Sequence, residues 1–360
     1  MFSNMNYFLG LLFMGAGSAG SVVASRLSED ECVKVLLLEA GGKVYPVTEI
    51  PALTFLSTST DMDWQYKTVP QARAAGGYED RKLPYPRGKG LGGSSLLNFM
   101  LYVRGNKRDY DFWETLGATG WSWKNVFPYF LKSEDNTDPQ IANNGYHATG
   151  GYLTISSPEF TTTIKRTFQD GLSERGYEYR DINGESQTGS ANFQATMRDG
   201  TRCSTAKAFL MPAEERKNLH IVNQALVRRI LFNDKKKKPL VLNFKFRITF
   251  IRYTLEKEVI VSGGTINSPQ ILMLSGIGPK NHLNNFGDCV DLVQNTEAFK
   301  KIGAKMFETK FPGCESHELY SDAYLRCIAR NYAFNFYHPV GTCKMGDPND
   351  DTTVVDPRLR

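Results

Sequence analysis

Six cysteines are scattered through the 360 residues (Cys32, Cys203, Cys289, Cys314, Cys327 and Cys343), without a C-x-x-C pair or a zinc-ligand spacing. That pattern indicates neither a disulfide-built scaffold nor a metal centre. Long apolar runs are also missing. The run from Tyr7 to Met14 is too short to cross a bilayer, and it lacks the basic leader and small-residue cleavage site of a secretory signal. No low-complexity tract or internal repeat is visible. Charge of one sign is scarce too: 43 Lys and Arg against 38 Asp and Glu leave +5. Much of the excess sits in Lys235 to Lys238, which reads as a solvated turn between strands. With no basic stripe and no nucleic-acid module, binding to nucleic acid is not expected.

What the chain does have is apolar content and glycine. It is 41% hydrophobic and long enough to bury a large core in more than one domain. Gly15-Ala16-Gly17-Ser18-Ala19-Gly20 fits G-x-G-x-x-G and opens a stretch with helical spacing at Ala19, Val22, Val23 and Leu27. The next apolar run, Val33 to Leu38, ends at Glu39, 19 residues past Gly20. This is the dinucleotide-binding βαβ arrangement. Gly15 permits the tight turn, Gly17 lets backbone approach a pyrophosphate, and Gly20 lets helix pack closely on strand. The helix N-terminus then holds the anion through its free N–H groups. A carboxylate at Glu39 accepts from the ribose hydroxyls and disfavours a 2′-phosphate, so NAD or FAD is expected rather than NADP. The preceding strand is assigned to Tyr7–Met14, although it contains Gly10 and no β-branched residue.

Further along, Tyr45 to Arg87 is too long for a plain βα loop and is expected to cover the nucleotide site. A second glycine-rich segment, Gly88-Lys89-Gly90-Leu91-Gly92-Gly93-Ser94-Ser95, reads as another backbone-lined anion site opening a helix. Tyr110 to Ser133 and Ile164 to Gly176 have helical spacing. Leu219–Val222, Ala225–Leu231, Leu240–Tyr253 and Glu258–Val261 read as strands in hairpin-like succession. The class is α/β with a mixed second layer.

The segment Gly88 to Asn98, with Tyr102-Val103-Arg104-Gly105-Asn106 behind it, resembles the first signature of the glucose-methanol-choline (GMC) flavoprotein oxidoreductases. Gly264 to Gly278 is similar to the second. Trp121-Ser122-Trp123, His147 to Leu153, Arg202 to Ala206 and His338 to Gly346 also resemble this family, in the expected order and closest to insect members of the glucose dehydrogenase type. The resemblance implies a Rossmann-like FAD-binding domain with a mixed or antiparallel substrate domain that is incomplete. Residues 1–294 would form the FAD-binding region, and 295–360 a fragment of the substrate and catalytic region.

It implies FAD as the cofactor, an alcohol or sugar as the substrate, and an electron acceptor it does not specify. Gly15, Gly17 and Gly20 would meet the pyrophosphate, Glu39 the adenosine ribose, and Val227 the adenine through its backbone. Asn98, Phe99, Met100 and Leu101 would run along the flavin, and Gly90 stands where relatives usually have a valine near the cofactor. His338 matches the catalytic position, taking the hydroxyl proton while hydride passes to flavin N5; His147 is expected to be a structural hydrogen bonder. Relatives are longer. The sheet roofing the substrate site is expected to be mostly missing between Gln294 and Thr296, and the usual continuation past Arg360 is absent from this sequence. The alternative reading is a non-catalytic FAD-binding remnant or an incomplete gene product. Relatives are often secreted, and the compartment of this chain stays open.

Overall fold

The computed structural model describes residues 7–8, 10–72, 74–158, 161–232, 239–246, 249–255, 258–278, 327, 338–350 and 352–360. The Lys235–Lys238 run and the gap expected near Gln294 lie outside them.

Four parallel strands form the centre, in the order Leu219–Val222, Val35–Leu38, Leu11–Met14, Val259–Val261. Counted along the chain this is 3-2-1-4, the order of a dinucleotide-binding half. The strands alternate their side chains between two cores. Leu12, Met14, Leu36 and Leu38 face one side, while Phe13, Val35 and Leu37 face the other, each 1% exposed or less. A parallel sheet buried on both faces needs continuous apolar runs, and Val35-Leu36-Leu37-Leu38 is one. Burying each of the larger side chains contributes roughly 1.5–3 kcal/mol.

On the Phe13 side lies the Ser18–Leu27 helix, whose buried positions are Gly20, Ser21, Ala24 and Ser25. Small residues there let its axis approach the sheet. On the Leu12 side a second sheet contributes Ala225, Val227 and Ile230, and the Gly264–Leu274 helix adds Ile271. That sheet is an antiparallel meander of Ala225–Phe232, Pro239–Phe246 and Thr249–Leu255. The result is helix, parallel sheet and antiparallel sheet stacked in three layers.

Three local readings change. The Tyr7–Met14 run supplies two strands, because Tyr7–Phe8 pairs in parallel with Thr254–Leu255 in the second sheet and only Leu11–Met14 enters the first. Leu219–Val222 and Val259–Val261 leave the expected hairpin series and join the parallel sheet. The Tyr110–Ser133 stretch divides into the helices Lys107–Thr115 and Trp123–Ser133, parted at Gly117 and Gly120, whose φ of 91° and 89° is incompatible with continued helix. The second expected helix forms as Thr163–Glu174 and stops before Gly176 at φ 84°.

A buried polar cluster organises the lobe behind these helices. Glu134 is fully buried, pairing with the Arg104 guanidinium through Oε2 and with His147 Nδ1 at 2.6 Å through Oε1. His147 Nε2 meets Asp181 Oδ2 at 2.9 Å. Burial alone would push this imidazole down, but hydrogen bonds and charge from Asp181 and Glu134 outweigh it, and His147 is pushed up to about 9 from 6.5. Its charged form therefore stabilises the fold fully below pH 6.5, and that stabilisation is lost as pH rises through about 9. Asp181 is held low by His147 and the Asn183 N–H against its own burial, so its contribution is lost instead as pH falls. The midpoint of thermal unfolding is expected to fall between pH 7 and 9.5, reflecting a loss on the order of 1–3 kcal/mol. His147→Gln should lower the midpoint at pH 6.5 and flatten this slope; an unchanged slope would show that another group sets it.

Candidate dinucleotide site

In the 3-2-1-4 order the chain leaves Leu11–Met14 toward one side first and the other later, opening a crevice at that strand's C-terminal end. A cavity of about 1050 Å³ occupies it. Its floor is the glycine turn after Met14 and the Val261–Gly264 turn after the neighbouring strand; Leu38–Ala40 and Ala225–Arg229 form one end, and Trp64, Tyr66 and Arg87 a wall.

The glycines of the floor differ in what demands them. Gly15 has φ 104°, and a Cβ there would lie 2.5 Å from the Ser262 carbonyl oxygen. At Gly20 a Cβ would lie 1.9 Å from the Gly15 oxygen. Gly17 is another case: a Cβ would meet only Gly93 Cα at 3.7 Å, so the protein itself has room for one. Glycine at that position leaves space in the cavity for a ligand.

Two helix N-termini converge here. The Ser18–Leu27 and Gly264–Leu274 helices begin behind Gly17 and Gly263, without a side-chain cap and without an acidic residue in the first turn. Their first N–H groups and positive dipole ends favour an anion. Ser262 fixes the two turns together, its Oγ donating to Gly15 O at 2.8 Å and Met14 O at 3.1 Å.

Glu39 closes the other end, at 6% exposure. Its Oε2 accepts from the Ala16 N–H and its Oε1 from the Gly41 N–H, both at 2.8 Å, with the Gly90 N–H as a further donor. Burial raises its pKa, against the pull of these N–H groups and of Lys89. One carboxylate thus holds three glycine-rich turns at the strand end.

The pattern of the GMC oxidoreductases matches the chain over residues 10–308 in its N-terminal part and 280–360 in its C-terminal part. This chain belongs to the GMC oxidoreductase family. It is 42% identical over 282 residues to glucose dehydrogenase (FAD, quinone) of Drosophila pseudoobscura pseudoobscura, covering 78% of this chain and 45% of that protein. It is 38% identical over 279 residues to alcohol dehydrogenase (acceptor) of Pseudomonas putida, covering 77% and 50%. Among solved structures, pyridoxine 4-oxidase from Mesorbium loti is 31% identical with a TM-score of 0.72, covering 78% of this chain and 54% of that one. A formate oxidase is 29% identical with a TM-score of 0.70, covering 79% and 50%. The chain spans about half the length of the curated relatives it matches.

Within this GMC fold, Gly15, Gly17, Glu39 and Val227 line one cavity. Gly20 lies directly behind Gly15. Gly90 is buried against Gly42 and serves through its N–H on Glu39. The segment Asn98–Leu101 stands outside the cavity wall: Phe99 and Leu101 are exposed, Met100 is buried at φ 62°, and Asn98 is clamped by Arg202. His338 is exposed, and its loop is tied to the start of the Gly264–Leu274 helix by Thr265 Oγ1 donating to Pro339 O and Thr342 Oγ1 donating to Thr265 O. Among the described residues no helix is long and apolar enough to cross a membrane.

Sequence reasoning left Arg202 without a task. It is 1% exposed and donates to the carbonyls of Thr48, Ser95 and Asn98, to Asn98 Oδ1 and to Thr54 Oγ1. Burial pushes its guanidinium down to about 10. Ser94 and Ser95 stitch loops rather than cap a helix, Ser94 Oγ accepting from the Gly88 N–H and Ser95 Oγ from the Thr205 N–H. The expected helix after Gly92 is only the 3-10 turn Gly93–Leu96.

These contacts separate two substitutions of one motif. Gly20→Ala must displace the Gly15 carbonyl and should destabilise the protein by about 3 kcal/mol or more, an overpacking effect at a rigid backbone. Gly17→Ala should unfold within about 1 kcal/mol of wild type yet weaken dinucleotide binding at least tenfold. Thermal unfolding and ligand titration of both variants check this, and a Gly17→Ala protein that binds normally would contradict the assignment of its space to a ligand.

Proposed function

We propose that this chain is an FAD-dependent oxidoreductase of the GMC type that acts on the CH–OH group of an alcohol or sugar. The observation that supports it most is the cavity at the strand switch point, where two uncapped helix N-termini meet a glycine whose missing side chain the protein does not require. Those features fit the pyrophosphate of an adenine dinucleotide, and the names of the relatives favour FAD among such dinucleotides. Residues 1–294 carry the FAD-binding region and 295–360 part of the substrate region.

In this reading Gly15 and Gly17 offer backbone to the pyrophosphate, with Gly20 supporting them. Glu39, already holding the Ala16, Gly41 and Gly90 N–H groups, takes a ribose hydroxyl on its remaining acceptor site. The Val227 backbone meets the adenine, Gly90 stands near the cofactor beside Glu39, and Asn98, Phe99, Met100 and Leu101 run along the flavin. FAD supplies the hydride acceptor. His338 takes the substrate hydroxyl proton on an imidazole nitrogen; a histidine suits the task because imidazole exchanges protons near neutral pH. The Thr265 and Thr342 hydrogen bonds hold its loop beside the cavity.

The purified chain is expected to show the visible absorption of bound flavin, bleached under anaerobic conditions by an alcohol or sugar. His338→Ala should keep the absorption and bleach about 10²–10⁴-fold more slowly. Equal bleaching rates would remove His338 from this role, and flavin that no donor bleaches would favour a non-catalytic flavin-binding protein.

A further inference from the structure

Tyr66 and Asn267 are 201 positions apart in sequence and meet at the cavity, which both line. The phenol donates to Asn267 Oδ1 at 2.5 Å. Asn267 lies one turn into the Gly264–Leu274 helix and is 9% exposed. With Oδ1 committed to the phenol, its Nδ2 carries two N–H donors that no acceptor takes among the described residues. Donors held in a cavity wall without a protein partner suit a ligand acceptor.

Tyr66 is itself held firmly. Gln65 before it has a left-handed φ of 54°, with its N–H accepted by Asp63 Oδ1 at 3.0 Å. The same buried carboxylate accepts from the Ser59 and Arg87 N–H groups, each at 2.9 Å, drawing together the two ends of the strap they bound, which carries Tyr66. The Trp64 ring lies 3° from parallel with the Tyr66 ring at 5.9 Å, and Lys89 Nζ stands 5.1 Å over Trp64. A non-glycine residue at positive φ persists where its surroundings over-determine it, and here they set the direction of the phenol.

We propose that Tyr66 is a positioning residue for the cofactor: its hydroxyl fixes the Asn267 amide with Nδ2 turned to an acceptor on bound FAD, tying strap to helix at the cavity. The inference rests on the FAD reading above. It assigns Tyr66 an effect on binding that passes through Asn267.

The test strips the full chain of flavin, titrates it with FAD by fluorescence quenching, and follows thermal unfolding of each flavin-free protein. Tyr66→Phe should raise the FAD dissociation constant about 3- to 10-fold while flavin-free unfolding stays near wild type. Asn267→Ala should raise it at least as much. The double variant should bind no more weakly than Asn267→Ala, because the phenol then has nothing to orient. A Tyr66→Phe constant within twofold of wild type, or penalties that add in the double variant, would overturn the inference while leaving FAD binding intact. Failure of the wild-type chain to bind FAD would overturn both. Should Tyr66→Phe not fold, an unchanged constant in Asn267→Ala alone rejects the inference.

Discussion

Where the glycine-rich loops close on the ends of the central strands, backbone lies against backbone with no side chain between, and the rest of the structure depends on that closeness. The Gly20 position sits on the Gly15 carbonyl, Gly15 on Ser262, Gly93 on Gly17, Gly88 on Gly93, and Gly41 on the Lys89 carbonyl. A methyl group at any of these would fall within 2.6 Å of backbone atoms. Five such contacts bring separate turns to the ends of two parallel strands, where helix N–H groups then point into one cavity. Glycine gives up more chain entropy than any other residue when it is ordered. The doubly buried sheet of Leu12, Phe13, Met14 and Leu36–Leu38 offsets that cost from immediately behind the loops.

Glu39 converts this packing into a polar structure. Its carboxylate gathers N–H groups from the turns at Ala16, Gly41 and Gly90. A side chain read from its spacing as a ribose acceptor is also the residue that holds the glycine turns in register. The two tasks are compatible, since an ionised carboxylate has about four acceptor sites. Arg202 does the equivalent from the cationic side, drawing the carbonyls of Thr48, Ser95 and Asn98 together.

Features whose causes are local were legible in the sequence. The glycine turn, its helix, the apolar strand ending at Glu39 and the stop at Gly176 all lie within short windows, so residue pattern and structure report the same physics. Pairing between distant segments was not. Nothing in Leu219-His220-Ile221-Val222 distinguishes a hairpin strand from one that pairs in parallel with Val35–Leu38, because the choice depends on which sheet edge is free. The division of Tyr7–Met14 between two sheets likewise follows from partners 247 residues away, at Thr254–Leu255 and Val259–Val261. Arg202 was visible only as part of a familiar motif, since three of its acceptors are backbone carbonyls that leave no trace in sequence and the side chains it meets, Thr54 and Asn98, are more than 100 positions away. The Tyr66–Asn267 contact was invisible for the same reason of distance.

Steric room at Gly17 and uncapped helix ends point to an adenine dinucleotide, and family membership narrows that ligand to FAD. Native mass spectrometry of the purified full chain tests that assignment most directly. The account predicts one FAD per chain, released on denaturation. A chain that carries only a nicotinamide dinucleotide, or that takes up no FAD when the cofactor is supplied, would contradict it.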